Sequence, residues 1–122
     1  MTKAGRVALS LFFCGLVCTL MRAQTAAHDP DALLKQALRY ADLYNWSDAA
    51  PFFIRAEQLY EARGDSRNAL YARLGRLRST MEQLSLPEVS EQLGVELDEN
   101  PLLQSDKELR LFCLIVRGDI DG

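Results

Sequence analysis

The sequence predicts an all-α fold of antiparallel helical hairpins, stacked as a solenoid of about two and a half units. Three observations predict it. Small and apolar residues recur at three- and four-residue spacing in separate runs, which is the period of a helix with one buried face. Caps, prolines and glycines punctuate those runs. Small residues also recur at a fixed interval of 38 positions, at Ala37, Gly75 and Cys113, and a small residue at one helical site lets a neighbouring helix approach closely.

The chain has 122 residues, 48 % of them apolar and 25 % charged. That is one small domain at most, with ordinary globular composition. The first segment differs from the rest. Lys3 and Arg6 precede "VALSLFFCGLVCTLM", 15 residues without a charge from Val7 to Met21, and Arg22 closes the run. A spanning helix wants roughly 20 apolar residues and a signal-peptide core roughly 7–15. Residues 1–23 therefore read as a signal peptide, with an uncleaved inner-membrane anchor formed by residues 7–21 as the rival. The rival stands because neither Ala23 nor Ala27 makes a clean cleavage site. Cys14 and Cys18 follow large residues, unlike a lipid-attachment cysteine. The expected address is periplasmic or secreted.

With Lys3, Arg6 and Arg22 removed, 11 basic side chains remain against 17 acidic ones, a net charge of −6. A mildly acidic chain argues against nucleic-acid binding. Cys113 is then the one cysteine left, so no internal disulfide forms and stability must come from a packed core.

Residues 24–31 read as a polar linker ending on Asp31, a candidate cap. Leu34, Ala37, Leu38, Ala41 and Tyr44 form the first stripe. "YNWSD" interrupts it, with Ser47 as the expected N-cap of the next helix and Pro51 in its first turn. Ala49, Phe53, Ala56 and Leu59 or Tyr60 form the second stripe, and Gly64 ends it where a left-handed residue is wanted. A third helix starts near Ser66. Leu70, Leu74, Leu77, Met81 and Leu84 make a 4-3-4-3 seam until "LSLP" breaks it. Pro87 opens a fourth helix lined by Val89, Leu93 and Leu97, and "DENP" closes it. After a loop, Ser105 or Asp106 caps "KELRLFCLIVRG", which Gly118 stops. The run "LFCLIV" by itself also fits a buried strand; its charged lead-in and cap favour helix. The helical region is thus expected over residues 32–118, with residues 119–122 as a turn at a truncated end.

The 38-residue register also links Leu33, Tyr71 and Leu109, and then Tyr40, Arg78 and Val116. Over residues 31–118 the chain resembles a tetratricopeptide-repeat (TPR) protein, whose hairpins of about 34 residues carry large, small and aromatic residues at fixed sites. The first unit has Leu33, Ala37, Tyr40, Trp46, Ala49, Phe53 and Ala56, with Gln36 where a large apolar residue is usual. The second has Tyr71, Leu74, Gly75, Val89, Leu93 and Pro101. There Arg78 and Glu96 break the pattern, and the stretch between Gly75 and Val89 is two residues longer. The third shows a first helix alone: Leu109, Phe112, Cys113 and Val116. The segment "ENPLLQSDKELRLFCLIVRGDIDG" is also similar to the leading part of exported bacterial TPR proteins that end in a caspase-like CHAT peptidase domain. No catalytic segment of that domain is in this chain.

The resemblance implies a non-catalytic exported scaffold for protein–protein interaction, binding a protein or peptide across stacked helices. The alternative is the N-terminal regulatory repeat region of a larger exported enzyme. A third reading keeps the leader as a membrane anchor, and only then is a membrane a partner. Asn68, Arg73 and Arg76 are the candidate partner-binding residues, with Arg78 adding to a basic strip; pairing with acids of other helices is the plainer reading of such a strip. No cofactor, metal or catalytic residue is expected. His28 lies in the linker, Cys113 has no histidine beside it to activate it, and "GDIDG" holds only part of a calcium-loop ligand set. The last helix has too many apolar residues to stand alone, which reads as a fragment of a longer chain; only a chain complete at Gly122 would predict a partner or self-association for it.

Overall fold

The computed structural model describes residues 28–122, and these contain six α-helices and no strand. They are α1 (Pro30–Asp42), α2 (Trp46–Ala62), α3 (Ser66–Ser79), α4 (Leu86–Glu99), α5 (Pro101–Ser105) and α6 (Lys107–Asp121), with a short 3-10 turn at Met81–Gln83. The all-α class holds. The leader, with Cys14 and Cys18, lies outside the described residues. Among the described residues no helix is long and apolar enough to cross a membrane.

At four of the six helix starts, those of α1, α3, α5 and α6, a cap side chain accepts from a free N–H group. Asp29, not Asp31, caps α1, accepting from Asp31 N at 3.1 Å, and Pro30 opens the helix inside the segment expected to be linker. Proline suits a first turn, where its missing donor costs nothing. Asp31 is thereby released, and its carboxylate accepts from the Tyr60 hydroxyl at 2.5 Å. The α1–α2 turn departs from expectation. Tyr44 adopts φ +56 and is 86 % exposed, so it drops out of the buried stripe. That turn lets α2 begin at Trp46, placing Ser47 inside the first turn instead of at the cap. Asn45 takes the cap position, and its Nδ2 donates to Asp48 Oδ2 at 2.6 Å. Gly64 ends α2 at φ +71, the conformation glycine reaches without steric cost.

The third seam is not one helix. The Ser79 hydroxyl donates to Gly75 O and the Thr80 hydroxyl to Arg76 O. Such back-bonding competes with continuation of the helix, so α3 ends there, and Met81 and Leu84 belong to the following connection. The loop expected after "DENP" is the short helix α5, capped by Asn100 and anchored by the fully buried Leu103. Asp106 caps α6, accepting from Leu109 N at 3.0 Å. Gly118 does not stop α6, which continues to Asp121 with Ile120 buried. The expected terminal turn and the "GDIDG" segment are therefore helical through Asp121, and the strand reading of "LFCLIV" falls with them.

Two kinds of packing build the core. In α1, α2 and α3 the buried contacts come from small residues around a few rings: Ala37, Ala49 and Phe53, then Ala56, Tyr60, Ala69 and Ala72. Small residues bring backbones together, and α2 lies close to both α1 and α3. The second region is built from branched aliphatics. Leu70, Leu74 and Leu77 of α3 meet Val89, Leu93 and Leu97 of α4, Leu103 of α5, and Leu109, Cys113, Val116 and Ile120 of α6. Large side chains hold helices apart. Accordingly α3 and α4 share a core without the close backbone approach seen between α2 and its neighbours, and α6 lies against both α3 and α4.

The recurring small sites mark these contacts. Ala37 and Cys113 are fully buried, and a Cβ at Gly75 would stand 2.3 Å from the Phe53 ring. Phe53 is itself fully buried. Gly75→Ala should destabilise the fold by about 1–3 kcal/mol, the usual cost of overpacking a filled core. The higher intrinsic helix propensity of alanine offsets part of that. Thermal unfolding checks it, and Phe53→Leu in the same chain should recover part of the loss, because contacting residues couple.

The caps also set a pH dependence. Asn68 donates to Asp65 from both side chain and backbone and holds its carboxyl below the usual range; Arg67, with the backbone of Leu109, does the same for Asp106. A carboxyl with a depressed folded-state pKa binds a proton more readily when unfolded, so stability falls in acid. The melting temperature should drop as pH falls from roughly 5 to roughly 2. The Asp65→Asn/Asp106→Asn variant should show a shallower drop over the same window.

Candidate functional site

The first three helices leave an open groove beside α1. At one end Asp31, Leu34, Lys35, Leu38, Arg39 and Asp42 of α1 face Tyr60 and Asn68 around a hollow of about 390 Å³. At the other end Leu38, Ala41, Asp42 and the turn residue Tyr44 face Trp46, Phe53, Tyr71 and Phe112 around a hollow of about 340 Å³. Both hollows share Leu38 and Asp42, so they adjoin along α1. Their α1 residues recur every three to four positions, which places them on one stripe of the helix.

The floor is apolar and the rim is charged. Tyr71 and Phe112 pack with ring centroids 4.7 Å apart and join α3 to α6. The Arg67 guanidinium sits 5.4 Å from the Tyr71 ring centroid, within range of a cation–π contact. Burial pushes the Tyr71 hydroxyl pKa up, as it does that of Tyr60, which also donates to Asp31. Both phenols therefore stay neutral donors at physiological pH. Lys35, Arg39, Asp31 and Asp42 give the rim both signs of charge within one hollow.

The candidate residues separate. Asn68 lines the groove while its side chain donates to Asp65 Oδ2 at 2.8 Å and accepts from Arg67 at 3.0 Å. Arg73 and Arg76 line neither hollow. Arg73 pairs with Glu96 of α4 at 2.8 Å, and Arg76 holds both carboxylate oxygens of Glu57 of α2, at 2.5 and 3.2 Å. Arg78 pairs with Asp119 of α6 and lies 4.5 Å from the Trp46 ring centroid. The basic strip is thus three arginines, each turned to a different helix. They tie α3 to its neighbours, and the break at Arg78 in the aromatic register is filled by stacking on an aromatic.

The groove's aromatic end was harder to read in the sequence. Tyr44 reads as a buried stripe residue, and Tyr71 and Phe112 read only as sites in a repeat. The signal for Tyr44 is the uncapped stretch "LYNW", which needs a left-handed residue and offers no glycine.

The other sequence candidates line neither hollow. Cys113 is fully enclosed, and burial pushes its thiol up to about 11, so it stays a neutral core thiol instead of a nucleophilic thiolate. His28 is exposed at the start of the described residues. Among the described residues no cluster of histidine, cysteine and carboxylate side chains is placed to hold a metal ion. Comparison with protein-family models, curated proteins and solved structures finds nothing that matches this chain.

Proposed function

We propose that this chain is a non-catalytic exported scaffold of tetratricopeptide-repeat type that binds a segment of another protein in the groove along α1. The observation that carries the reading is the groove itself: Leu34, Leu38, Tyr71 and Phe112 form an apolar floor beneath a rim of mixed charge. A long groove that buries alternate apolar anchors and meets the remaining polar groups at its edge is how stacked helices receive a peptide. The close α1–α2–α3 stack and the 38-residue register support the repeat-type reading. The enclosed, neutral Cys113 supports the non-catalytic one. The charged start and short apolar run of residues 1–23 support the export reading.

The ligand is a segment with two or more apolar side chains at the spacing of the two hollows. Tyr44 is the residue that sets one end. Its left-handed backbone costs about 1 kcal/mol in a residue bearing a Cβ, and its ring is almost wholly exposed. A side chain held at that cost in the open, at the lip of a hollow, is positioned for contact.

The test is a selection of peptides from a random displayed library against the chain, followed by affinity measurements on variants of unchanged helicity. Leu38→Asp should weaken the selected peptides at least about tenfold, since it places an unpaired charge on the floor. Arg73→Glu should leave them within about twofold, because Arg73 faces α4. Loss with Arg73→Glu and retention with Leu38→Asp would transfer the site to the basic residues and sink the groove. Tyr44→Gly should move two quantities in opposite directions. The melting temperature should rise by a few degrees as strain is relieved, while peptide affinity falls.

A further inference from the structure

The last helix carries two apolar faces. One is Leu109, Cys113, Val116 and Ile120, buried against α3 and α4. The other is Leu111, Leu114 and Ile115, which are 59 %, 45 % and 52 % exposed. At 100° per residue these three fall on the side of the helix opposite the buried four. Gly118 lies on that same outer side, and a Cβ there would meet nothing within 4 Å. None of the described residues covers this face.

We propose that the outer face of α6 pairs two copies of this chain, α6 against α6, in antiparallel orientation. The charges at its ends select both the occupant and the direction. Lys107, at the start of α6, shares the outer side and makes no ion pair with a described residue. Asp121, at the other end, is half-exposed; its carboxylate accepts from the Ser90 hydroxyl of α4, and its ion pair with Arg117 is long, at 3.8 Å. An antiparallel pair centred between Leu114 and Ile115 brings Lys107 of each copy beside Asp121 of the other. It also seats Leu111 over Gly118 of the second copy, where the missing side chain lets the backbones approach, and Leu114 against the second copy's Ile115. Two-fold symmetry makes each contact twice. A parallel pair would set Lys107 against Lys107 and lose both charge contacts. One helix face per copy is at the small end of interface sizes, so the pairing is a weak, reversible one. This inference is independent of the groove along α1, since Leu111, Leu114 and Ile115 line neither hollow.

Sedimentation equilibrium of the full chain over a range of concentrations tests it. The chain should show a monomer–dimer equilibrium. Leu114→Glu, at an exposed position, should abolish it with unchanged circular dichroism. Lys107→Glu should weaken it about tenfold at low salt, and adding Asp121→Lys to that variant should restore it to within about twofold. A monomer at every concentration overturns the proposal, whether the face is bare or covered by residues 7–21. Association indifferent to Leu114→Glu overturns it too, since the apolar leader would then be its source. Dimerisation that Leu114→Glu abolishes but charge reversal fails to rescue overturns the antiparallel pairing.

Discussion

The approach of the Phe53 ring to the backbone at Gly75 is the contact on which the rest depends. It fixes how near α2 lies to α3, and only a residue without a Cβ permits it. Ala37, Ala49, Ala56, Ala69 and Ala72 extend the same logic over α1, α2 and α3. Alanine contacts bury little area per residue, and so each contributes little hydrophobic stabilisation. They contribute proximity, which lets the few rings present make many dispersion contacts. The leucine-rich region stabilises by the opposite means. Its eleven buried residues, from Leu70 to Ile120, remove large side chains from water and tolerate wider helix separation. The close stack sets the walls of the groove. The leucine region supplies most of the apolar burial that holds α6 in place.

Charge ties these two regions together at defined points. Arg67 reaches from the start of α3 to Asp106 at 2.9 Å and Glu108 at 2.7 Å at the start of α6. Arg78 reaches from the end of α3 to Asp119 near the end of α6. Two arginines, one at each end, fix the register between these helices, and the Tyr71–Phe112 contact lies between them. Partly exposed ion pairs contribute modestly to stability, so their chief effect is on alignment. Asp106 serves twice, as α6 cap and as Arg67 partner. Its protonation would loosen the helix start and the bridge together.

Much of this was legible in the sequence, and the reason is local. The stripes on α2 and α4 and the leucines of α3 match the buried faces: Ala49, Phe53 and Ala56; Leu70, Leu74 and Leu77; Val89, Leu93 and Leu97. The small sites at Ala37, Gly75 and Cys113 are buried as their spacing predicts. What failed was decided by competition between neighbours. Asp29 won the first cap from Asp31 because Pro30 favours the first turn. Ser79 and Thr80 ended a helix that its leucine seam would have continued, since hydroxyl back-bonding leaves no trace in a hydrophobic pattern. Gly118 stayed helical because Ile120, two residues on, is anchored in the core. The basic residues of α3 misled for a different reason. A sequence shows that Arg73, Arg76 and Arg78 share a helix but not that Glu96, Glu57 and Asp119 come to meet them from three others. The groove was half legible: its α1 stripe is periodic, whereas Tyr44, Tyr71 and Phe112 come together only through the fold.

The placement of α6 follows from these same constraints and explains why one helix faces two ways. Its inner face is fixed by the core, with Leu109, Cys113 and Val116 fully buried. Its flanks are committed, by Glu108, Phe112 and Asp119 on the side of α3 and by Arg110 and Arg117 on the side of α4, where Arg110 donates to Leu97 O at 3.3 Å. Only the outer strip remains, and it is where the sequence places Leu111, Leu114 and Ile115 instead of the charged residues a solvated strip would carry. On α3 the polar side chains at the helix edges reach acids of the neighbouring helices; on the outer strip of α6 no described residue answers the apolar ones. An apolar face on a helix already held on three sides adds nothing to the fold that holds it. In the proposed pairing an inverted copy would cover this face, with Lys107 at one end of the strip and Asp121 beside the other.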